Sequence, residues 1–301
     1  MKKDFLKLTD LTKVEVLELL KKAAELKKFK AEGTTHQPLK GKSLGMVFNK
    51  NSTRTRISFE VGMFELGGHS LFLTPDQMQL GRGETIADSA RVLSRYLDGI
   101  LIRTFDFNEV TEFAKHASIP VINGLTDLNH PIQVLSDLFT IYEKLSRIDG
   151  IKIAYVGDGN NVAYSWISAA TMFGLKLSIG CPPSCKPKLH EGFKITDSVD
   201  ITEDPIAAVK DADIIYTDVW VSMGQEEAPE KISLLKPYQI NQSLVEAAKK
   251  DVLVMHCLPA HRGYEIDGEL LDDPRSIIFE QAENRLHSQK AVLLKLAGQL
   301  S

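Results

Sequence analysis

Short apolar runs alternate with helical patterns along almost the whole of this 301-residue chain, and the alternation happens twice. Runs at 43–48, 70–73, 99–102 and 120–122 have the length of buried strands. Helical patterns lie between them at 57–66, 86–97 and 109–117, and a longer one follows at 130–145. After Arg147-Ile148-Asp149-Gly150 a second series begins, with strand patterns at 151–156, 176–179, 214–217, 252–255 and 276–279. Helical patterns at 163–173, 205–209 and 243–249 separate these, and a final helix over 282–300 closes the chain. Successive strands joined by helices return parallel, so this order specifies two doubly wound parallel-sheet α/β domains. The boundary is expected at 144–150. It gives domains 1–147 and 148–285, with the helix at 286–301 packing back on the first.

Ahead of the first strand, 12–28 reads as an amphipathic helix. Thr12 and Glu15 form a capping-box pattern, and Leu17, Leu20 and Ala24 are expected on its buried face. The 36 basic and 40 acidic side chains leave a net charge of −4, which offers no global attraction for nucleic acid or an anionic membrane. Any anion bound here must be held by a local cluster. The start of the chain lacks an apolar signal core, and no apolar run approaches the ~20 residues of a membrane-spanning helix, so a soluble, cytoplasmic protein is expected. Three cysteines are too few for a disulfide framework. Cys181, Cys185 and His190 offer three candidate ligands with no evident fourth, and no metal is expected.

In an open parallel sheet, ligands bind beyond the carboxyl ends of the strands. The unusual polar residues of this chain fall there repeatedly. The run at 43–48 leads into Asn49-Lys50-Asn51-Ser52-Thr53-Arg54-Thr55-Arg56; 99–102 ends at Arg103; and 120–122 leads to Asn123 and then His130-Pro131-Ile132-Gln133. In the second series, Gly157-Asp158-Gly159-Asn160-Asn161, Asp218, His256-Cys257-Leu258-Pro259 and Gln281 to Arg285 take the equivalent places. Seven such clusters argue for a site in the crevice between two sheets.

The first cluster carries the strongest signal. Ser52 is placed to cap the following helix, whose free N–H groups and dipole favour an anion. Arg54 adds a planar, permanently charged fork suited to phosphate oxygens. Arg56 either joins it or holds the loop. The Walker-A lysine pattern is absent, which argues against the usual nucleotide loop. Arg103, His130 and Gln133 at neighbouring strand ends point to a phosphate-bearing ligand. Gly157-Asp158-Gly159-Asn160-Asn161 is half of a dinucleotide fingerprint, but Val162 stands where a third small residue belongs and the next strand ends without an acidic ribose partner. A glycine turn that directs Asn161 at a ligand fits the segment equally well. Taken singly, His130, Asp218, His256 and Cys257 each also fit a purely local structural role.

Together these segments resemble a known family. Ser52 to Arg56, His130-Pro131-Ile132-Gln133, Asp218 through Ser222-Met223-Gly224, and His256-Cys257-Leu258-Pro259 look like the signatures of the ornithine carbamoyltransferases, within the aspartate/ornithine transcarbamoylase family. They occur in the same order over essentially the whole chain. The first two are shared by transcarbamoylases in general, and the last two resemble the ornithine-specific branch. The resemblance implies two α/β domains with the active site in the cleft between them. The implied reaction converts carbamoyl phosphate and L-ornithine to L-citrulline and phosphate in arginine biosynthesis, in a homotrimer with no cofactor.

Carried over by resemblance, Ser52, Thr53, Arg54 and Thr55 hold the phosphate. Arg103, His130 and Gln133 bind carbamoyl phosphate, with Arg103 and His130 at its carbonyl oxygen, and Gln79 reaches a neighbouring subunit's site. Asn161, Asp218, Ser222 and Met223 bind ornithine. Cys257 and Leu258 line the carbamoyl site near the reacting δ-amine, and Arg285 completes it. Arg103, His130, Asp218 and Cys257 are the expected catalytic group. Direct attack by the neutral amine needs neither a metal nor a covalent intermediate.

Overall fold

The computed structural model describes residues 3–74, 83–187, 195–221 and 229–300. They form two compact units, Met1–Phe139 with Glu283–Ser301, and Thr140–Ala282.

The first unit holds a parallel sheet of β1 (Ser43–Phe48), β2 (His69–Leu73), β3 (Gly99–Arg103) and β4 (Val121–Leu125) in the order β2-β1-β3-β4. β1 and β3 are buried from their second residue onward, as central strands covered on both faces must be. Edge strand β2 alternates between exposed and half-buried positions. The connecting helices are α1 (Lys13–Ala31), α2 (Thr53–Glu65), α3 (Ile86–Leu93) and α4 (Phe107–His116). Val47, Ile100, Ile102 and Val121 from the sheet pack with Ala90 of α3 and Val110 and Phe113 of α4 to form one core. Truncating any of the larger of these would leave a cavity costing about 2–5 kcal/mol. α5 (Pro131–Leu145) carries the 139/140 division within it.

α1 has the expected Thr12–Glu15 capping box, but its buried face is Val16, Leu19, Leu20, Ala23 and Leu26. Leu17 is half-buried and Ala24 exposed. Choosing Leu17 as the first buried position turns the expected face by one residue, about 100°. A more consequential difference lies in α2, which begins at Thr53 and not at 57. The Thr53-Arg54-Thr55-Arg56 run is therefore the first helical turn itself.

The second unit has five parallel strands, β5 (Lys152–Val156), β6 (Lys176–Gly180), β7 (Val199–Thr202), β8 (Ile214–Thr217) and β9 (Leu253–His256), in the order β7-β6-β5-β8-β9. Its helices are α6 (Asn161–Phe173), α7 (Pro205–Val209), α8 (Pro229–Leu235) and α9 (Gln242–Glu246), followed by α10 (Ile278–Leu296). Edge strand β7 was not expected, because it is half-exposed and carries an exposed Asp200 in place of a continuous apolar run. The strand expected at 276–279 is a correction. Ser276 makes one isolated parallel bridge to Val254, and α10 starts at Ile278. A short, mostly apolar run such as Ser276-Ile277-Ile278-Phe279 reads alike as a strand or as the start of a helix.

Among the described residues no helix is long and apolar enough to cross a membrane.

Candidate active site

In the first unit the site is built at the carboxyl ends of β1 and β3. Ser52 caps α2, its Oγ accepting the Thr55 N–H at 3.2 Å. Arg54 lies in that first turn, where a helix has backbone N–H groups outside its own hydrogen-bond ladder. Phe48 and Arg103 are paired across β1 and β3, and the Asn49 N–H donates to the Arg103 carbonyl at 2.8 Å. Pairing of β3 with β4 slips by one residue at Ile102/Arg103, the irregularity that re-aims a side chain at a strand end. Arg103 is buried, with a Nε that has no hydrogen-bond partner among the described residues.

Arg285 reaches the same place from α10. Its Nη2 donates to Thr55 Oγ1 at 3.0 Å and its Nη1 donates to Gln133 Oε1. Gln133 Nε2 in turn donates to Asp137 Oδ1 at 2.8 Å. His130 is buried immediately before Pro131, the first residue of α5. Burial, then the charges of Arg285, Arg103 and Arg54, holds its imidazole well below the ordinary histidine range, so it is neutral at physiological pH. Burial, with Arg285 and Arg54 adding to it, pushes Arg103 down to about 9, where it is still charged at neutral pH. Three guanidiniums thus crowd one neutral imidazole. Such a field disfavours a further cation and favours a multiply charged anion.

Arg56 takes no part in this cluster. Its guanidinium lies 3.7 Å from the centre of the Phe72 ring and its Nε donates to Glu60 Oε1 at 3.0 Å, so it holds α2 to β2. Lys50 pairs with Asp127 and sits 4.2 Å from the Phe105 ring centre.

In the second unit the polar residues gather at the carboxyl ends of β5, β8 and β9. Asn160 caps α6 by accepting the Val162 N–H at 2.9 Å. Its Nδ2 donates to Asp218 Oδ2 at 2.7 Å. Cys257 Sγ donates to Asp218 Oδ1 at 2.8 Å, and the Val219 N–H donates to the same oxygen at 2.8 Å. The turn before α6 needs its glycines. Gly157 has φ +128°, and a Cβ on Gly159 would stand 2.3 Å from the Cys185 carbonyl oxygen. Asp158 pairs with Lys231 Nζ at 2.8 Å, while burial raises its carboxyl against that pairing. Asn161 is the first residue of α6 and half-buried.

Sequence reasoning missed Asn160, His256 as a working part of this cluster, and Glu265. Asn160 stood beside the favoured Asn161, and a spacing argument cannot separate a capping residue from its neighbour. Glu265 carries no motif. Gln79, Ser222, Met223 and His190 lie outside the described residues.

One ligand-type atom each from Asp218, His256 and Cys257 lies within 4.8 Å of the others. All three are already engaged. The thiol donates to Asp218, His256 Nδ1 accepts the Leu258 N–H at 2.8 Å, and His256 Nε2 meets Glu265 Oε1 at 3.0 Å. A cation would have to dismantle that network. Cys181 and Cys185 are buried free cysteines; burial pushes the Cys181 thiol up to about 11 and raises Cys185 as well, so both stay protonated.

The first unit thus carries a phosphate-suited cluster and the second a carboxylate–thiol cluster. Residues 3–143 match the family model "Aspartate/ornithine carbamoyltransferase, carbamoyl-P binding domain", and residues 149–296 match "Aspartate/ornithine carbamoyltransferase, Asp/Orn binding domain". The chain belongs to the aspartate/ornithine carbamoyltransferase family and is a carbamoyltransferase. It is 56% identical over 298 residues to the ornithine carbamoyltransferase of Syntrophus aciditrophicus (strain SB), covering 97% of this chain and 99% of that one. With the ornithine carbamoyltransferase of Methanoculleus marisnigri it shares 50% identity over 300 residues, covering 98% and 97%. Among solved structures, the ornithine carbamoyltransferase from Pyrococcus furiosus matches with a TM-score of 0.94 and 49% identity, covering 99% of this chain and 97% of that one.

Proposed function

We propose that this carbamoyltransferase converts carbamoyl phosphate and L-ornithine to L-citrulline and phosphate, by direct attack of the neutral δ-amine on the carbamoyl carbon, in arginine biosynthesis. The observation that carries the reading is the crowding of Arg54, Arg103 and Arg285 on neutral His130, a field that a phosphate dianion relieves. The names of the similar proteins support ornithine as the acceptor.

In this reading the first unit binds carbamoyl phosphate. Ser52, Thr53, Arg54 and Thr55 take the phosphate at the start of α2. Gln133 and Arg285 hold that turn and the ligand's amide end. Arg103 and His130 donate to the carbonyl oxygen as it gains negative charge, a contribution of about 3 kcal/mol per donor. The second unit binds ornithine through Asn161, Asp218, Ser222 and Met223. Cys257 and Leu258 line the path of the δ-amine.

The nitrogen lone pair attacks the carbonyl carbon, the C–O bond to phosphate breaks, and the nitrogen proton leaves with phosphate or water. A lysine-like amine has a pKa of about 10.4, so presenting it neutral at pH 7 costs about 4.6 kcal/mol. Nearby guanidiniums and partial desolvation reduce that cost. Asp218, with Cys257, orients the amine.

The same reading takes the protein as a cytoplasmic homotrimer with Gln79 reaching a neighbouring subunit's site. Exposed Ile57 and Phe64 on α2 and exposed Leu71 on edge strand β2 support a protein-covered face there. A colorimetric assay for the ureido group, with ornithine, aspartate, putrescine and N-acetylornithine as acceptors, tests the function. Citrulline from ornithine is the expected result. Faster turnover of another amine would reassign the acceptor.

A further inference from the structure

We propose that Glu265 is a positioning residue for this reaction: through His256 it selects the imidazole tautomer that pins Leu258 and so holds the Cys257 thiol against Asp218. The inference rests on the reading that Asp218 and Cys257 meet the incoming amine.

The tautomer follows from the neighbours of the ring. His256 Nδ1 lies 2.8 Å from the Leu258 backbone nitrogen, which can only donate. Nδ1 is therefore the acceptor and carries no proton. The ring proton sits on Nε2, 3.0 Å from Glu265 Oε1. The other tautomer would set two donors against each other at Leu258 and a lone pair against the carboxylate. Both side chains are completely buried, so no bulk water compensates for the wrong choice.

Glu265 is itself held by its own loop. Its Oε1 accepts the His261 N–H at 2.5 Å, and its carbonyl accepts the Ile240 N–H at 2.9 Å. Oε2 is buried without a hydrogen-bond partner among the described residues, and His261 Nδ1 stands 3.9 Å from it. A buried carboxylate with one oxygen left over is a costly way to close a loop. That cost fits a demand for a strong, fixed acceptor opposite His256.

The other end of the relay is strained. Leu258 has φ +59°, in the left-handed region a leucine adopts only where its surroundings impose it. The bond from its N–H to His256 closes across that turn. Cys257 lies between the two bonded residues, with Sγ at 2.8 Å from Asp218 Oδ1. On the β9 side the His256 N–H donates to Gln281 Oε1 at 2.9 Å, and Gln281 Nε2 donates to the Tyr216 hydroxyl at 3.2 Å. The thiol is thus set from both directions. Without Glu265 only the Leu258 N–H selects the tautomer, Nε2–H is left without its acceptor, and the ring loses the partner that fixes its orientation behind the turn.

The test compares the full-length wild type with Glu265→Gln and Glu265→Leu. Ring nitrogen shifts of His256, assigned by difference from His256→Asn, should report the Nε2–H form in the wild type and in Glu265→Gln, whose amide oxygen can still accept. Glu265→Leu should alkylate with iodoacetamide at Cys257 at least fivefold faster. It should lose at least tenfold in kcat/KM for ornithine, with inorganic phosphate affinity unchanged within twofold. Glu265→Gln should recover most of both. An Nδ1–H or doubly protonated His256 in the wild type overturns the proposal, as does a folded Glu265→Leu with wild-type alkylation and kinetics. If Glu265→Leu does not fold, the wild-type tautomer and Glu265→Gln decide: a Gln variant that loses the tautomer yet keeps wild-type alkylation refutes the relay. Wild-type protein that makes no citrulline overturns the reaction itself, whereas wild-type activity matched by Glu265→Leu overturns only the role of Glu265.

Discussion

Arg285 on α10 donates to Thr55 Oγ1 at 3.0 Å and also to Gln133 Oε1, so one guanidinium ties the first turn of α2 to the first turn of α5. Both acceptors are buried. The same charge lies close enough to His130 and Arg103 to push both downward. Arg285 therefore organises the cluster and raises its electrostatic cost at once.

Removing it should separate those two effects. Arg285→Met leaves Thr55 and Gln133 short of a donor, about 1.5–3 kcal/mol for bonds to a charged group, but relieves repulsion among the guanidiniums. We expect a ligand-free Tm within a few degrees of wild type. We also expect at least a hundredfold loss of carbamoyl phosphate affinity, with no phosphate-induced rise in Tm. Calorimetry with and without phosphate checks this. A variant that binds phosphate normally would remove Arg285 from the site.

Arg54→Ala removes the one guanidinium of the cluster that sits at the head of α2. Carbamoyl phosphate binding, followed by titration calorimetry, should fall below detection while the far-ultraviolet circular dichroism stays unchanged. Near-normal affinity would discard the phosphate assignment.

The pH profile tests the attacking group. His130 is held neutral by burial and by three arginines, so its titration should not limit activity between pH 7 and 9. The neutral fraction of a lysine-like amine rises about tenfold per pH unit below its pKa of about 10.4. The kcat/KM for ornithine should climb from pH 7 toward pH 8 with a slope near one on logarithmic axes, and less steeply toward pH 9, where Arg103, pushed down to about 9, begins to lose its charge. A flat profile would contradict attack by the free neutral amine.

The strand–helix order was legible because central strands such as β1 and β3 are covered on both faces and read as unbroken apolar runs. Edge strand β7, with its exposed Asp200, gave no such run. The phosphate-suited cluster was legible too, because capping serines and adjacent arginines carry their chemistry in their type. What could not be read was which neighbour does what. Arg56 and Arg54 are alike in sequence, and only the Phe72 ring and Glu60 divert Arg56. Asn160 and Asn161 differ by one position on the way into α6, which decides capping. Glu265 is defined by burial against His256, a relation between two segments that no local pattern encodes.

His287 should govern acid stability. Its side chain is completely buried on α10, with neither ring nitrogen hydrogen-bonded among the described residues and Glu283 Oε1 at 3.6 Å. Burial, then Lys290 and Lys27, pushes it down to about 3, with Lys30 acting in the same sense and Glu65 against it. An unfolded histidine titrates near 6.5, so below that pH the unfolded chain takes up a proton that the folded one refuses. The resulting loss is absent above about pH 6.5, grows as pH falls, and reaches about 2 kcal/mol at pH 5 for a shift of this size. His130 acts in the same direction. Urea midpoints from pH 7.5 to 5 should therefore fall less steeply in His287→Leu than in the wild type. Equal slopes would mean that His287 is protonated in the folded state.

Gly159→Ala should damage the second unit's cluster and spare the first. An added Cβ would meet the Cys185 carbonyl oxygen at 2.3 Å and Pro187 at 2.6 Å, both parts of the backbone or a rigid ring that cannot swing aside. The Gly159 N–H already donates to that carbonyl at 2.9 Å, so the two segments are in direct contact. Relief requires the turn to move, and the turn carries Asn160, which caps α6 and holds Asp218 Oδ2 at 2.7 Å. We expect about 1–3 kcal/mol of destabilisation and at least a fivefold rise in KM for ornithine, with phosphate affinity unchanged. Gly174→Ala is the control, because its φ of +68° is strained for alanine but its Cβ would meet nothing within 4 Å. It should lose about 1 kcal/mol of stability and keep its KM. If both variants shift KM alike, general loosening of α6 explains the effect, and the contact between Gly159 and Cys185 does not set the position of Asn160.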